Sequence, residues 1–362
     1  MTSSQPDAGT GGGGHGHGDG ERSGCPGREK TGDRGRDRAG APRWIAGVDI
    51  GGTNLRVGLV PLEGGPPGVI RRERTRAGQG PAHVAAKVAD MLRSAVGEVG
   101  RGGVAGIGVG CPGPVDRGAG MVLETPNLGW RHVPLRDLVA DATGLPVTLE
   151  NDANCAAYGE WWQGAGRGAE RLIGLTLGTG IGGGIVLGGE IYHGASDAAG
   201  EVGHMSVDFD GRLCACGSRG CVEAYASGPG IAARAVEGLA DAADSSLAGI
   251  ARTDGVRVTA RMVCEAAAGG DGYARRVLAE TGRILAVAVA NLVNLFNPDV
   301  IVVAGGVTAA GDHLFRPLRD EVRRRAFPSA LGACRVVPAE LPGTAGVIGA
   351  AGVFKGAVYG GV

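Results

Sequence analysis

The apolar positions change period several times along the chain, and each change marks an element. WIAGVDI (44–50), LRVGLVPL (55–62) and GVIRRERTR (68–76) are short, rich in β-branched residues and separated by Gly or Pro, which predicts consecutive strands in a meander. Val84, Val88, Met91, Leu92, Ala95 and Val99 then recur at helical spacing and predict a helix over 81–99. A buried strand VAGIGVG (104–110), a long Gly/Pro loop, a helix near 134–143, a strand PVTLE (146–150) and a helix over 153–163 follow. The pattern then restarts. RLIGLTL (171–177), IGGGIVLGG (181–189) and EIYHG (190–194) predict a second run of strands. Helices over 222–240, 259–268 and 272–296, a buried strand over 299–306, a helix over 308–326 and a last helix over 344–358 complete the chain.

Each half therefore begins with a glycine-interrupted meander and continues with helix–strand crossovers. Such a duplication predicts two α/β domains, 44–150 and 151–343, with a cleft between them and the last helix packed back on the first. Residues 1–43 contain no Val, Ile, Leu, Phe, Tyr or Trp and are dense in Gly, Asp and Arg, so they are expected to form a disordered tail. His15 and His17 within it make a poor metal site.

Composition narrows the function. A chain of 362 residues with 43% hydrophobic content can bury large cores and is no small disulfide scaffold. Its 36 basic and 37 acidic residues nearly cancel, so no global field draws it to nucleic acid or an anionic membrane. The richest apolar stretch, 284–303, is interrupted by Asn291, Asn294, Asn297, Pro298 and Asp299, and no apolar segment follows Met1, so a cytoplasmic location is expected. The 72 glycines, about one residue in five, imply tight turns and close backbone approaches. The only lysines are Lys30, Lys87 and Lys355, none in a phosphate-loop context, which disfavours a lysine-centred phosphate site.

Three glycine loops and one carboxylate carry candidate chemistry. In DIGGT (49–53), Gly51 and Gly52 let backbone amides approach an anion, Thr53 adds a hydroxyl, and Asp49 could hold Mg²⁺ through water. LGTGIGGG (177–184) repeats this in the second half with Thr179 and Gly180. Either alone is explained equally well by an ordinary hairpin turn; their recurrence favours two turns holding the phosphates of one nucleotide. The third loop, AGG (304–306), ends a buried strand, where Gly305 and Gly306 would let an adenine lie on backbone, although a helix-entry turn fits too. Between the first two loops lies ENDAN (150–154), where Asn151 or Asp152 is a natural helix N-cap. Phosphoryl transfer to an alcohol also needs a carboxylate to orient the hydroxyl and take its proton, and Asp152 is the candidate base.

His204, Cys214, Cys216 and Cys221 fall within HMSVDFDGRLCACGSRGC, a Cys₃His set suited to a closed, structural zinc site. Such a set leaves no open coordination position, which disfavours a zinc hydrolase. Glu201 and Glu223 flank this loop and, with the histidine edge, could accept hydrogen bonds from a polyol.

Together DIGGT, ENDAN, LGTGIGGG, EVGH (201–204) and CACGSRGCVE (214–223) resemble the ROK family of sugar kinases and sugar-responsive repressors, in order over about 44–358. The resemblance implies the two-domain ribonuclease H-like, actin-like ATPase fold, a homodimer or homotetramer, and closure around a sugar and ATP. It makes Asp152 the base, and Asn151, Glu201, His204, Glu223 and, from TPNLGW (125–130), Asn127 the sugar contacts. It also makes the DIGGT and LGTG loops the phosphate binders. The implied activity is phosphorylation of a hexose 6-hydroxyl, glucose first by likeness to the bacterial glucokinase branch, with fructose, mannose and N-acetylhexosamine as alternatives. Family repressors carry an N-terminal helix-turn-helix, which residues 1–43 lack the apolar positions to form. A non-catalytic sugar sensor is the competing class.

Overall fold

The computed structural model describes residues 42–99, 103–253 and 255–360. The tail expected over 1–43 lies outside the described residues as far as position 41, with His15 and His17, and the first strand opens at Pro42.

The first half runs β1 (Pro42–Ile50), β2 (Asn54–Pro61), β3 (Val69–Arg74), α1 (Pro81–Val99), β4 (Gly103–Cys111), β5 (Val115–Asp116), β6 (Met121–Thr125), β7 (Trp130–Val133), α2 (Leu135–Thr143), β8 (Val147–Asn151) and α3 (Asp152–Gln163). The second runs β9 (Arg171–Leu177), β10 (Ile181–Leu187), β11 (Glu190–Ile191), α4 (Glu223–Ala226), α5 (Gly228–Glu237), α6 (Ser246–Ala251), α7 (Ala260–Ala268), α8 (Gly272–Phe296), β12 (Val300–Ala304), α9 (Asp312–Arg325), α10 (Pro328–Ala333), β13 (Arg335–Pro338) and α11 (Ala345–Tyr359). Two five-stranded sheets result, ordered β3-β2-β1-β4-β8 and β11-β10-β9-β12-β13. Both follow one plan: an antiparallel meander whose first strand sits at the sheet centre, then two parallel strands brought in by crossovers.

The helices cover these sheets in an exchanged manner. On the first sheet α1 buries Val84, Val88, Met91, Leu92 and Ala95, the stripe expected from their spacing. On the second, α8 buries Leu278, Leu285, Val289 and Val293. Among the described residues α8 is the one helix long and apolar enough to cross a membrane, and that apolar stripe lies in the core. The opposite faces are covered by α3, which follows the first sheet but packs on β9 and β10, and by α11, which follows the second but packs on β1 and β4. Phe354 and Ile348 of α11 bury against Ile45 and Val60. Glycines make these contacts possible. A Cβ at Gly108 of β4 would overlap the Ala350 carbonyl, one at Gly174 of β9 would stand 2.6 Å from the Ala157 methyl, and one at Gly349 would overlap the Cys155 carbonyl where α3 and α11 cross. Much of the glycine excess is thus spent on bringing helix backbones onto sheets, and not only on turns.

The structure differs from the pattern reading in several places. The loop expected after β4 contains β5, β6 and β7 as a small antiparallel sheet; with strands of two to five residues, no period-2 run is long enough to read. The helix expected over 222–240 breaks into α4 and α5 because Pro229 cannot donate and Ser227 caps the second piece. The helix over 308–326 is interrupted at Gly311, whose φ of 54° ends a 3₁₀ turn before α9 begins. The strand over 190–194 shrinks to β11.

If backbone contact between α11 and the first sheet organises the fold, Gly108→Ala loses about 1–3 kcal/mol in denaturant unfolding. Gly97→Ala, on α1 with nothing within 4 Å of the new methyl, is neutral or gains up to about 1 kcal/mol. Equal effects of the two substitutions would contradict the contact.

Candidate active site

The loops singled out from the sequence lie at the C-terminal ends of β1, β8, β9 and β12. At the β1–β2 turn, Gly51 N donates to Asn54 O, and the buried Thr75 donates its hydroxyl to Gly51 O (2.6 Å) and its N–H to Thr53 O. Carbonyls are drawn inward, while the N–H groups of Gly52 and Thr53 donate to no described residue. The β9–β10 turn repeats this: Gly178 N donates to Gly180 O, Gly228 N to Gly178 O, and the amides of Thr179 and Gly180 donate to no described residue. Two turns with exposed threonines and unspent amides are suited to anions. No hydrogen bond joins the turns to each other among the described residues. Asn127 lies against the first turn, its Cβ 3.5 Å from the position a Cβ on Gly52 would take. Gly182, Gly183 and Gly184 belong to strand β10, where Gly182 and Gly184 pack against Ala153 and Ala157 of α3.

The β8–α3 junction resolves the capping question. Asn151 is the N-cap: its Oδ1 accepts from Ala153 N (2.9 Å) and Asn154 N (3.2 Å), and its Nδ2 donates to Gly113 O. Asp152, in the first helical turn, is left free to act. Desolvation pushes its carboxyl up to about 7, and the negative charge of Asp49 adds to the rise, with a smaller push from Glu201. Asp49 is held by Arg56 Nη1 at 2.7 Å, its register partner across the hairpin, and lies under Gly346 at the start of α11. Asp49 and Glu201 therefore stand within electrostatic range of Asp152 where the strand ends converge.

His204, Cys214, Cys216 and Cys221 come together as expected, their donor atoms all within 4.8 Å of one another. Cys216 Sγ is 3.7 Å from Cys221 Sγ, and Cys214 Sγ is 3.8 Å from His204 Nδ1. A tetrahedron with metal–sulfur bonds of about 2.3 Å has edges of about 3.8 Å, so the donors fit a tetrahedral ion. Gly217 and Gly220, at φ 91° and 73°, wrap the loop. With Nδ1 facing the thiols, His204 Nε2 faces Glu201, 3.9 Å away. Glu223 ties this loop to the second turn: its Oε2 accepts from Ile181 N at 2.7 Å.

Beside that turn, Leu177, Gly178, Gly228, Ala260, Cys264 and Val307 line an apolar cavity of about 450 Å³ reaching Gly306. Gly305, at φ 100°, lies so close to Leu177 that no side chain fits. A larger cleft of about 1100 Å³, lined by Glu150, Trp161, Trp162, Arg117 and His193, contains none of the expected site residues. Sequence reasoning missed Arg56, visible in principle as the partner of Asp49 in the meander, and the α7 wall of the small cavity, which carries no motif. It also left Glu150 without a role.

The comparisons agree with this architecture. The model of the ROK family matches residues 45–357. A glucokinase from Halalkalibacterium halodurans is 39% identical over 86% of this chain and 95% of its own length, and a putative xylose repressor from Caldicellulosiruptor sp. is 37% identical over 68% of this chain and 61% of its own. The structure of a ROK family glucokinase from Streptomyces griseus in complex with glucose and AMPPNP superposes with a TM-score of 0.72 at 37% identity, covering 86% of this chain and 98% of that one. With its duplicated sheets, the chain has the actin-like ATPase and sugar kinase fold and belongs to the ROK family.

Proposed function

We propose that this protein transfers the γ-phosphoryl group of ATP to the 6-hydroxyl of a hexose, glucose foremost, acting in the cytoplasm as a homodimer or homotetramer. The observation that carries the reading is Asp152: an uncapping carboxylate, pushed up to about 7, beside Asp49 and Glu201. The adenine would occupy the 450 Å³ cavity against Gly305 and Gly306, with the phosphates on the amides of Gly52, Thr53, Thr179 and Gly180 and the two threonine hydroxyls, while Gly51 shapes the first turn by donating its own N–H to Asn54 O. Asn127, Glu201, His204 and Glu223 would hold the sugar, with Asn151 contributing only the second N–H of Nδ2, since its other polar groups bond backbone. Asp152 orients the 6-hydroxyl and takes its proton as the oxygen bonds to phosphorus and ADP departs. Magnesium brought in with the nucleotide would be held near Asp49 and would neutralise phosphate charge. Zinc on His204, Cys214, Cys216 and Cys221 would be structural, stiffening the loop that carries Glu223.

Asp152→Asn tests the base. Turnover falls by about 10²–10⁴-fold while sugar binding persists; near wild-type turnover would contradict the assignment. Because burial raises this carboxyl, the folded state favours its protonated form, and the associated stability is lost as pH rises through about 7. The asparagine variant is therefore at least as stable as wild type at pH 8. The same sign sets the rate: kcat/KM of the wild type climbs through about pH 7 and levels above it, and a flat profile from pH 5.5 to 8.5 would contradict a titrating base.

The metal is tested by Cys216→Ser. Metal analysis finds about one zinc per chain in the wild type and none in the variant, which also loses sugar affinity; unchanged glucose binding without zinc would refute a structural ion. A hexose panel in a coupled ADP assay decides the substrate, with fructose, mannose and N-acetylhexosamines as competitors. The likeness to a putative xylose repressor favours a second reading, a sugar-sensing regulator without catalysis, and sugar binding with no ADP from any hexose would select it.

A further inference from the structure

One buried carboxylate beside the candidate base has no place in the chemistry above. Glu150 is the penultimate residue of β8, immediately before Asn151 and Asp152, and its side chain is 2% exposed. Oε1 accepts from the N–H of Asn151 and from Asn154 Nδ2, both at 2.9 Å. Oε2 accepts from His193 Nε2 at 2.8 Å and forms an ion pair with the Arg117 guanidinium, its Nε 3.0 Å away. Three hydrogen-bond donors and one guanidinium thus converge from three parts of the chain: the β8–α3 turn, the segment after β5, and the segment after β11.

The donors are themselves linked. Arg117 Nη1 stands 3.1 Å from His193 Nδ1, so the imidazole accepts there while donating through Nε2 to the carboxylate. Arg117 N donates to Asp197 Oδ2 at 3.3 Å, and Asp197 sits at φ 57°, held in a conformation unusual for a non-glycine residue. Segment 192–204 is therefore pinned at His193 and Asp197, and the same segment ends in Glu201 and His204. Burial works against charge on Glu150, but the donors from His193, Asn154 and Asn151 outweigh it and hold the carboxyl below the usual range.

We propose that Glu150 is a positioning residue: one buried carboxylate locks the turn bearing Asp152 in register with the segment bearing Glu201 and His204. The inference rests on the hexose kinase reading for its kinetic consequence, not for its geometry. A base must lie within hydrogen-bond reach of the hydroxyl it serves, and misplacement by about 1 Å costs on the order of 10²-fold in rate. None of Glu150's four partners comes from the turns at 51–53 and 178–180 or from Gly305 and Gly306, so the nucleotide side should be indifferent to its loss.

The test compares Glu150→Gln with Glu160→Gln. Glu160 is equally buried, on the helix that Asp152 opens, accepting from Ala165, Glu340 and Leu341 N–H groups remote from the base. Glutamine at either place turns one acceptor into a donor facing donors, so both variants lose stability. Glu150→Gln alone lowers kcat by about 10–10²-fold and raises the hexose KM several-fold, with the ATP KM within about twofold of wild type. It also speeds amide hydrogen exchange over 192–204. If Glu150→Gln shifts no more than Glu160→Gln in kcat, hexose KM and exchange, the proposal is overturned. Should Glu150→Gln not fold, Arg117→Leu and His193→Phe, which each remove one partner, carry the test: a kcat fall of about tenfold in both supports it, and wild-type values in both overturn it. A wild-type chain that phosphorylates no hexose defeats the kinase reading instead, and exchange over 192–204 then decides the positioning role by itself.

Discussion

The backbone contact between α3 and α11 is the constraint on which the molecule depends. Each helix leaves its own sheet and lies on the other, and the two cross where Gly159 and Gly349 carry no side chain to keep them apart. Neither helix could reach its sheet over a bulkier surface, since Gly108, Gly174 and Gly184 stand under the contacts. Interiors packed this closely do not deform continuously, so the ends of the two sheets are fixed with respect to α3. Asp152 opens that helix and Asp49 ends the strand beneath α11, which is how two acids distant in sequence come within electrostatic range of one another.

Charge is managed differently at each carboxylate around this junction. Glu150 is buried and fully supplied with donors, which keeps it ionised. Asp49 is paired to Arg56. Asp152 has neither a cation nor a side-chain donor among the described residues and is raised by burial and its neighbours. Divergent environments for adjacent acids are the usual means by which one of them becomes a proton acceptor near neutral pH. The Cys₃His loop lies outside the sheets and is tied to the second turn by Glu223, whose Oε2 accepts from Ile181 N.

The duplicated meander was legible because strands such as 171–177 and helices such as 272–296 are long enough for their period to register, and both end where the pattern ends. The Cys₃His set was legible because metal chemistry demands ligands at short spacing. What could not be read depended on tertiary neighbours. The strands β5 to β7 are too short to show a period, and the wall that α7 gives the small cavity is an ordinary amphipathic helix in sequence. ENDAN drew attention to Asn151 and Asp152, but only the fold reveals that Asn151 spends both polar atoms on backbone and that Glu150 collects His193 and Arg117 from elsewhere. The glycines under α3 and α11 read as turn formers until the helices above them are seen.

A crystal structure with glucose and a non-hydrolysable ATP analogue bound together tests the account most directly. It should place the sugar 6-hydroxyl about 2.6–3.2 Å from an Asp152 oxygen, the adenine in the cavity against Gly306 and the phosphates on both glycine turns. Nucleotide in the cleft lined by Trp161 and Trp162, or a sugar whose 6-hydroxyl points away from Asp152, would contradict it.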